Sequence, residues 1–262
     1  MAELHIGTSG WHYKHWIGNF YPERCPAGRM IEYYARSFDA VELNNTFYKL
    51  PTVNALRAWH DATPPNFYFA VKASRFITHN KKLKDPENAL DNLLPRIIEG
   101  LGHKLGPVLF QTAPAWTINL ERLQLFLDAL PRSSGPPPRP GSVHDGVPLR
   151  YAFEFRHPSW HVDAVYEILH HFNAAFCIFD IGGFHAPLEV TADWAYMRLH
   201  GPGEKYEGSY AQPTLRRWAR RIEDWRSLRQ IEVYFDNDQA GYAAANALAL
   251  KRMLARHVRA AA

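Results

Sequence analysis

The sequence predicts an α/β chain folded as a single (β/α)8 TIM-type barrel over residues 1–262, without a regular helix between its sixth and seventh strands. Three observations carry this. Eight short apolar runs of β type recur along the chain, and amphipathic stretches separate most of them; strand and helix in alternation build a parallel sheet. The chain has 262 residues, close to the ~250 typical of such barrels, and eight repeats in that length favour a closed barrel over an open sheet. The runs also share a gradient, small or apolar where they begin and polar where they end, and barrel enzymes place their sites at the C-terminal strand ends.

The first strand, Leu4–Ser9 (LHIGTS), leads into Gly7–Pro22 (GTSGWHYKHWIGNFYP), whose three glycines and five aromatic rings are too irregular for a strand or helix. A helical pattern follows at Arg29–Phe38, then the second strand, Ala40–Asn44 (AVELN), and a helix at Thr52–Ala62. The third strand is Phe67–Ala73 (FYFAVKA), with a helix at Pro86–Leu101; the fourth is Gly106–Gln111 (GPVLFQ), with a helix at Leu120–Leu130. A Pro/Gly/Ser-rich stretch at about 131–148 is expected to be a flexible insertion on the face away from the chemistry. The fifth strand, Tyr151–Arg156 (YAFEFR), is followed by a helix at Asp163–Phe172. The sixth, Ala175–Asp180 (AFCIFD), is followed by IGGFHAPLEVTADW, too rich in Gly and Pro for a helix. The seventh, Ala195–His200 (AYMRLH), and the eighth, Val233–Asp238 (VYFDND), are each followed by a helix, at Thr214–Leu228 and Gly241–His257.

Side chains alternate across a strand, which sorts each run into an apolar outward set and an inward set. Sorted this way, Tyr196, Arg198 and His200 face inward, as do Glu42 and Asn44, Lys72, Leu109 and Gln111, Glu154 and Arg156, Asp180, Tyr234 and Asp236, and Gly7 and Ser9. Cys177 and Phe179 fall outward. Buried charges that merely plug a barrel would be no more stable than an apolar plug, because desolvating each ion costs several kcal/mol. Polar ends on all eight strands therefore point to a ligand or active site at the mouth.

Three cations there, Lys72, Arg156 and Arg198, suit a small anionic ligand, since arginine favours bidentate contacts to carboxylate or phosphate. Glu42, Glu154, His200 and Asp180 are the candidates for proton transfer. Asn44, Gln111 and Asn237 would orient the substrate, with Ser9 at the lumen and Trp11, Tyr13 and Tyr48 walling the mouth.

Several classes of function are disfavoured. Neither GxGxxG nor GxxxxGK[ST] occurs, nor a GxSxG elbow. No HxH or HExxH spacing supplies a metal site, so no cofactor and no metal ligands are assigned, a divalent metal remaining a minor alternative. Two cysteines form no disulfide framework and suit a reducing cytoplasm. No apolar run approaches the ~20 residues of a membrane span. The Arg-rich LRRWARRIEDWRSLR reads as an outer barrel helix with Leu215, Trp218, Ile222 and Trp225 on one stripe, so nucleic acid is allowed as a partner but not favoured at net charge +4.

The successive motifs GTSGWHYKHWIGNFYP, VELNNTFYKLP, FYFAVKASRFITH, LGPVLFQTAP, AFEFRHPSW, YMRLHGP and VYFDNDQAGYAAANA resemble those of the YecE-like family (domain of unknown function 72), in order and over nearly the whole chain. The resemblance implies a TIM-type barrel similar to the xylose-isomerase and endonuclease IV group, and no established activity. Similarity to endonuclease IV would imply a metal-dependent nuclease or nucleic-acid-binding barrel, for which this chain lacks a matching histidine set. Local departures from the family pattern are FQTAP, Ile181 and Asp236-Asn237-Asp238. The expectation is an acid/base barrel enzyme (hydrolase, lyase or isomerase type) acting on a small anionic or phosphorylated substrate, sugar-like molecules included, with a nucleic-acid barrel and a non-catalytic ligand-binding protein as alternatives.

Overall fold

The computed structural model describes residues 2–135, 146–204 and 206–260, with side chains to residue 255 in the last helix; residues 136–145 of the expected insertion lie outside them. The order of elements is that of the TIM-type (β/α)8 fold. The strands are β1 (Glu3–Thr8), β2 (Ala40–Leu43), β3 (Tyr68–Lys72), β4 (Leu105–Gln111), β5 (Tyr151–Glu154), β6 (Ala175–Ile181), β7 (Phe184–His185), β8 (Trp194–Leu199) and β9 (Gln230–Phe235). The helices are α1 (Met30–Tyr34), α2 (Val53–Asp61), α3 (Glu87–Leu101), α4 (Leu120–Ala129), α5 (Asp163–His171), α6 (Gln212–Asp224) and α7 (Tyr242–Ala260).

All eight expected strands are present, and β7 is an addition. Gly182 and Gly183 take positive φ angles of 52° and 79°, which turns the chain back so that β7 pairs antiparallel with β6. That hairpin occupies the place where no helix was expected. Helix starts follow local capping chemistry: Thr52 Oγ1 accepts the Ala55 N–H at 3.2 Å, and Asn119 Oδ1 accepts the Arg122 N–H at 2.8 Å. Helix α1 is shorter than its pattern suggests, because the chain enters it through a 3-10 turn at Ala27–Arg29.

The chain divides into two compact units. Unit 1 comprises Met1–Glu42 and Cys177–Ala262, and unit 2 Leu43–Phe176. In unit 1, β1, β9, β8 and β6 pair in parallel in that order, and Ser9 extends β1 to bridge Glu42. Register aligns His5 and Gly7 with Glu232 and Tyr234, and these with Tyr196 and Arg198. The opposite row, Ile6, Ile231, Val233 and Met197, is buried and apolar, and α7 packs on β1 and β9.

In unit 2, β3, β4 and β5 pair in parallel, and Ala175 and Phe176 continue the sheet beside β5. Phe153, Phe155, Phe176 and Trp160 stack on one another along one face, with ring centroids 4.6–6.3 Å apart. The other face carries Lys72, Leu109, Ala152, Gln111 and Glu154 in matching register. Both units thus end one row of their strands in polar side chains.

Candidate functional site

In unit 1 the polar row closes into one buried network around Arg198, which is 0% exposed. Its guanidinium donates to Glu42 Oε1 (2.8 Å), Asp236 Oδ2 (3.1 Å) and Ser9 Oγ (3.1 Å). Ser9 Oγ also donates to Glu42 Oε1, and Tyr196 OH donates to Glu42 Oε2 at 2.6 Å. His200 Nδ1 lies 3.0 Å from Asp236 Oδ2, and Arg198 Nη1 lies 3.4 Å from His200 Nε2. An arginine only donates, so Nε2 accepts and the proton sits on Nδ1, toward the carboxylate. Ser9, Glu42, Arg198 and His200 are thereby brought together as the alternation predicts. Arg198, expected to hold an anionic ligand, instead bonds two of the chain's own carboxylates.

Asp180 departs from its expected place. Register puts Phe179 beside Arg198 and Asp180 beside Leu199, so the inward row of β6 is Cys177 and Phe179. Asp180 lies on the opposite face, hydrogen-bonded to the Tyr210 hydroxyl, with its Oδ1 3.1 Å from His185 Nδ1. Burial pushes its carboxyl above the usual range, against the pull of His185. The strand is apolar on both faces, so the run itself carries no phase, and a one-residue slip exchanges the two rows.

Asn237 fastens the loop that follows β8. Its Nδ2 donates to Gly208 O (2.9 Å) and Asn246 Oδ1 (2.8 Å), and Tyr210 N donates to the same Asn246 oxygen. The Asn237 Oδ1 is buried with no hydrogen-bond partner among the described residues.

The aromatic stretch after β1 folds onto unit 1 through its own rings. Trp16 and Tyr21 are buried, and Trp16 contacts Tyr13, Phe20, Tyr21 and Tyr34 at centroid distances of 5.1–6.5 Å. Trp11 is also buried, and its carbonyl accepts the Tyr21 hydroxyl at 2.6 Å. Tyr13 OH donates to Ser9 O at 2.6 Å, and burial, with Asp236 and Asp238 nearby, pushes its hydroxyl well above the usual tyrosine range.

Asp238 anchors this stretch from the far end of the sequence. It accepts the Trp16 indole N–H at 2.6 Å and lies 2.9 Å from His15 Nε2. Burial pushes its carboxyl up to about 6, outweighing Trp16 and His15. An unfolded aspartate titrates near ~3.9. The folded protein therefore holds this proton more tightly, and stability declines as pH rises from about 4 to 6. The variant Asp238→Asn keeps an oxygen for Trp16 and should lose this component of the decline. Melting curves between pH 4 and 7 check it; the same pH dependence in both proteins would contradict it.

In unit 2, Lys72 ends β3 with its Nζ 4.3 Å from the Phe47 ring centroid. Thr46 Oγ1, 2.6 Å from Lys72 O, ties the 3-10 turn Asn45–Phe47 to that strand end. Glu154 is fully buried and accepts the Arg156 Nε–H. Thr112 braces this pair, its N–H donating to Glu154 O (2.9 Å) and its Oγ1 accepting the Arg156 N–H (3.3 Å). Gln111, paired in register with Glu154, is buried beside them. Asn44 Oδ1 is buried without a hydrogen-bond partner among the described residues, whereas Tyr48 is 74% exposed.

Alternation did not reveal His79 and Arg75, which lie beyond the end of β3 where the period stops. His79 sits on a π-helical turn, Phe76–Asn80, with its ring edge-on to Phe47 at 5.0 Å and its Nδ1 2.9 Å from Thr78 Oγ1. Burial first, then Lys72, Arg75 and Arg156, hold its imidazole below the usual histidine range. Lys72 and His79 thus meet at the Phe47 ring, with Arg75 heading the same turn. The sequence signal that could have found Arg75 and His79 is the basic run in KASRFITHNKKLK.

Among the described residues no three His, Cys, Asp or Glu side chains converge in a metal-holding group. Nor is any described helix long and apolar enough to cross a membrane.

Strand–helix alternation with ionisable side chains at the C-terminal strand ends defines an α/β protein of the TIM-type barrel class. A family model described as "Protein of unknown function DUF72" matches residues 5–262, and the chain belongs to that family. It is 24% identical to UPF0759 protein YunF of Bacillus subtilis (strain 168) over 282 residues, 96% of this chain and 94% of that one. It is 26% identical to UPF0759 protein YecE of Escherichia coli (strain K12) over 158 residues, 60% of this chain and 50% of YecE. The crystal structure of a DUF72 family protein from Thermotoga maritima MSB8 superposes with a TM-score of 0.82 at 30% identity, covering 97% of this chain and 99% of that one.

Proposed function

We propose that the protein is an acid/base enzyme acting on a small anionic or phosphorylated substrate, with the anion held in unit 2 by Lys72, Arg75 and Arg156. The observation that carries this reading is that Lys72 and His79 meet on the one Phe47 ring, at 4.3 and 5.0 Å, with Arg75 at the head of the turn that carries His79. Cations held near one imidazole raise the local positive potential, which attracts an anion, even with Glu154 paired to Arg156. Their field favours a neutral His79 near pH 7, able to take a proton from a bound substrate. Glu154 fixes the direction of the Arg156 guanidinium, which presets the donor for a carboxylate or phosphate oxygen.

Calorimetric titration of inorganic phosphate tests the anion site. Phosphate should bind the wild-type protein, and Lys72→Met should weaken it about tenfold or more, the worth of one charge-assisted hydrogen bond. Equal affinity in the two proteins would sink the assignment of Lys72.

A further inference from the structure

The segment that carries His79 continues into a surface with a composition of its own. From Lys72 to Asp85 it holds Lys72, Arg75, Lys81, Lys82 and Lys84 against a single acid, Asp85. Arg75, Lys81, Lys82 and Lys84 are exposed. The backbone that presents them is fixed: Lys81 N donates to Phe76 O (2.9 Å), Leu83 N to Ile77 O (2.9 Å) and Lys84 N to Lys81 O (3.0 Å). Lys82, Leu83 and Asp85 adopt left-handed φ angles of 49°, 63° and 44°, a conformation costly for residues other than glycine. Leu83, buried at the centre of this bend, anchors it. Strain held in place by packing and hydrogen bonds marks a loop whose shape is used.

Two aromatic rings stand in the same band. Tyr48 is 74% exposed and Phe76 48%. Of the large apolar side chains that unit 2 exposes among the described residues, these are the aromatic ones; the others are Leu120, Leu125 and Val162. The Tyr48 ring lies edge-on to Phe47 at 5.1 Å, and Phe47 in turn meets His79 and Lys72. Phe76 opens the π-helical turn that carries His79, and Lys81 Nζ lies 6.0 Å from its ring. Inorganic phosphate or a small carboxylate makes no use of exposed aromatic faces beside the cations. A flat heteroaromatic ring bearing a phosphate uses both, the ring by stacking and the phosphate by charge.

We infer that the ligand of unit 2 is a nucleotide unit, its base stacked on Tyr48 or Phe76 and its phosphate among Lys72, Arg75 and Arg156. This rests on the anion site proposed above and names the class of anion. The same chemistry is offered by a free mononucleotide and by single-stranded nucleic acid, in which each base exposes a face for stacking.

The test is equilibrium binding of AMP, a fluorescein-labelled dodecathymidylate and inorganic phosphate to the wild-type protein, Tyr48→Ala, Phe76→Ala and the double variant. Both rings are exposed, so the variants should fold, and circular dichroism verifies it. At least one nucleotide probe should bind the wild type, and the double variant should weaken it by about tenfold or more while phosphate affinity stays unchanged. Dodecathymidylate binding at least tenfold tighter than AMP identifies a polynucleotide, and comparable or tighter AMP binding a mononucleotide. Nucleotide binding unaltered by loss of both rings would overturn the inference, as would phosphate binding without any nucleotide binding; in both cases the anion site itself would stand. Failure of phosphate to bind would instead strike the anion site.

Discussion

Replacing Arg198 by methionine should destabilise the protein by about 3–5 kcal/mol, the usual cost of removing one partner from a buried ion network. The side chain is fully buried, and its guanidinium serves Glu42, Asp236 and Ser9 together. Methionine fills much of the volume and leaves two carboxylates without that cation. Arg198→Lys should recover little, because a single ammonium cannot reproduce the planar fork that reaches both acids. Adding Glu42→Gln to Arg198→Met should cost less than the sum of the two single changes, since the second change removes a charge that the first left uncompensated. Guanidinium unfolding of the wild type and the four variants measures this. A loss under about 1 kcal/mol for Arg198→Met would mean that the network is solvated or readily rearranged, contrary to its burial.

Gly7→Ala should be about as damaging, for a steric reason. A Cβ at Gly7 would stand 2.1 Å from Ala40 O and 2.9 Å from the Tyr34 hydroxyl. That hydroxyl ties β1 to β2, lying 2.9 Å from Thr8 N and 3.0 Å from Ala40 O. The methyl group must push the strands apart or break the Tyr34 bridge, and overpacking at backbone contact should cost about 3 kcal/mol. Gly18→Ala is the control. Its φ of 83° strains any other residue, but nothing lies within 4 Å of the added carbon, so it should cost about 1 kcal/mol. Thermal unfolding that ranks the two variants equal would show that β1 and β2 are not held as closely as the Tyr34 bridge implies.

The sequence carried the fold further than it carried the site. Strand positions were legible because apolar runs and amphipathic stretches differ in period, and the Gly182–Gly183 pair marked where a helix could not form. The polar row of unit 1 was legible because β8 alternates cleanly from Ala195 to His200. Strand β6 was not, because an apolar residue stands on both of its faces. Alternation points Asp180 to the interior, and the hydrogen-bond register places it on the other side. Arg75 and His79 escaped because they follow the strand, where no period constrains direction. The role of Arg198 escaped for a different reason. A cation at a strand end suits a ligand or a neighbouring carboxylate equally well, and distance alone separates the two. The aromatic loop after β1 divides along the same line: Trp16 and Tyr21 are core, which ring count alone does not reveal.

Anion binding beside His79 can be followed at the His79 imidazole itself, by NMR as pH is varied, with and without saturating phosphate. The account predicts titration below 6.5 in the free protein, a rise when phosphate binds, and a smaller phosphate-induced rise in Lys72→Met. A His79 titration that phosphate leaves unmoved would contradict it.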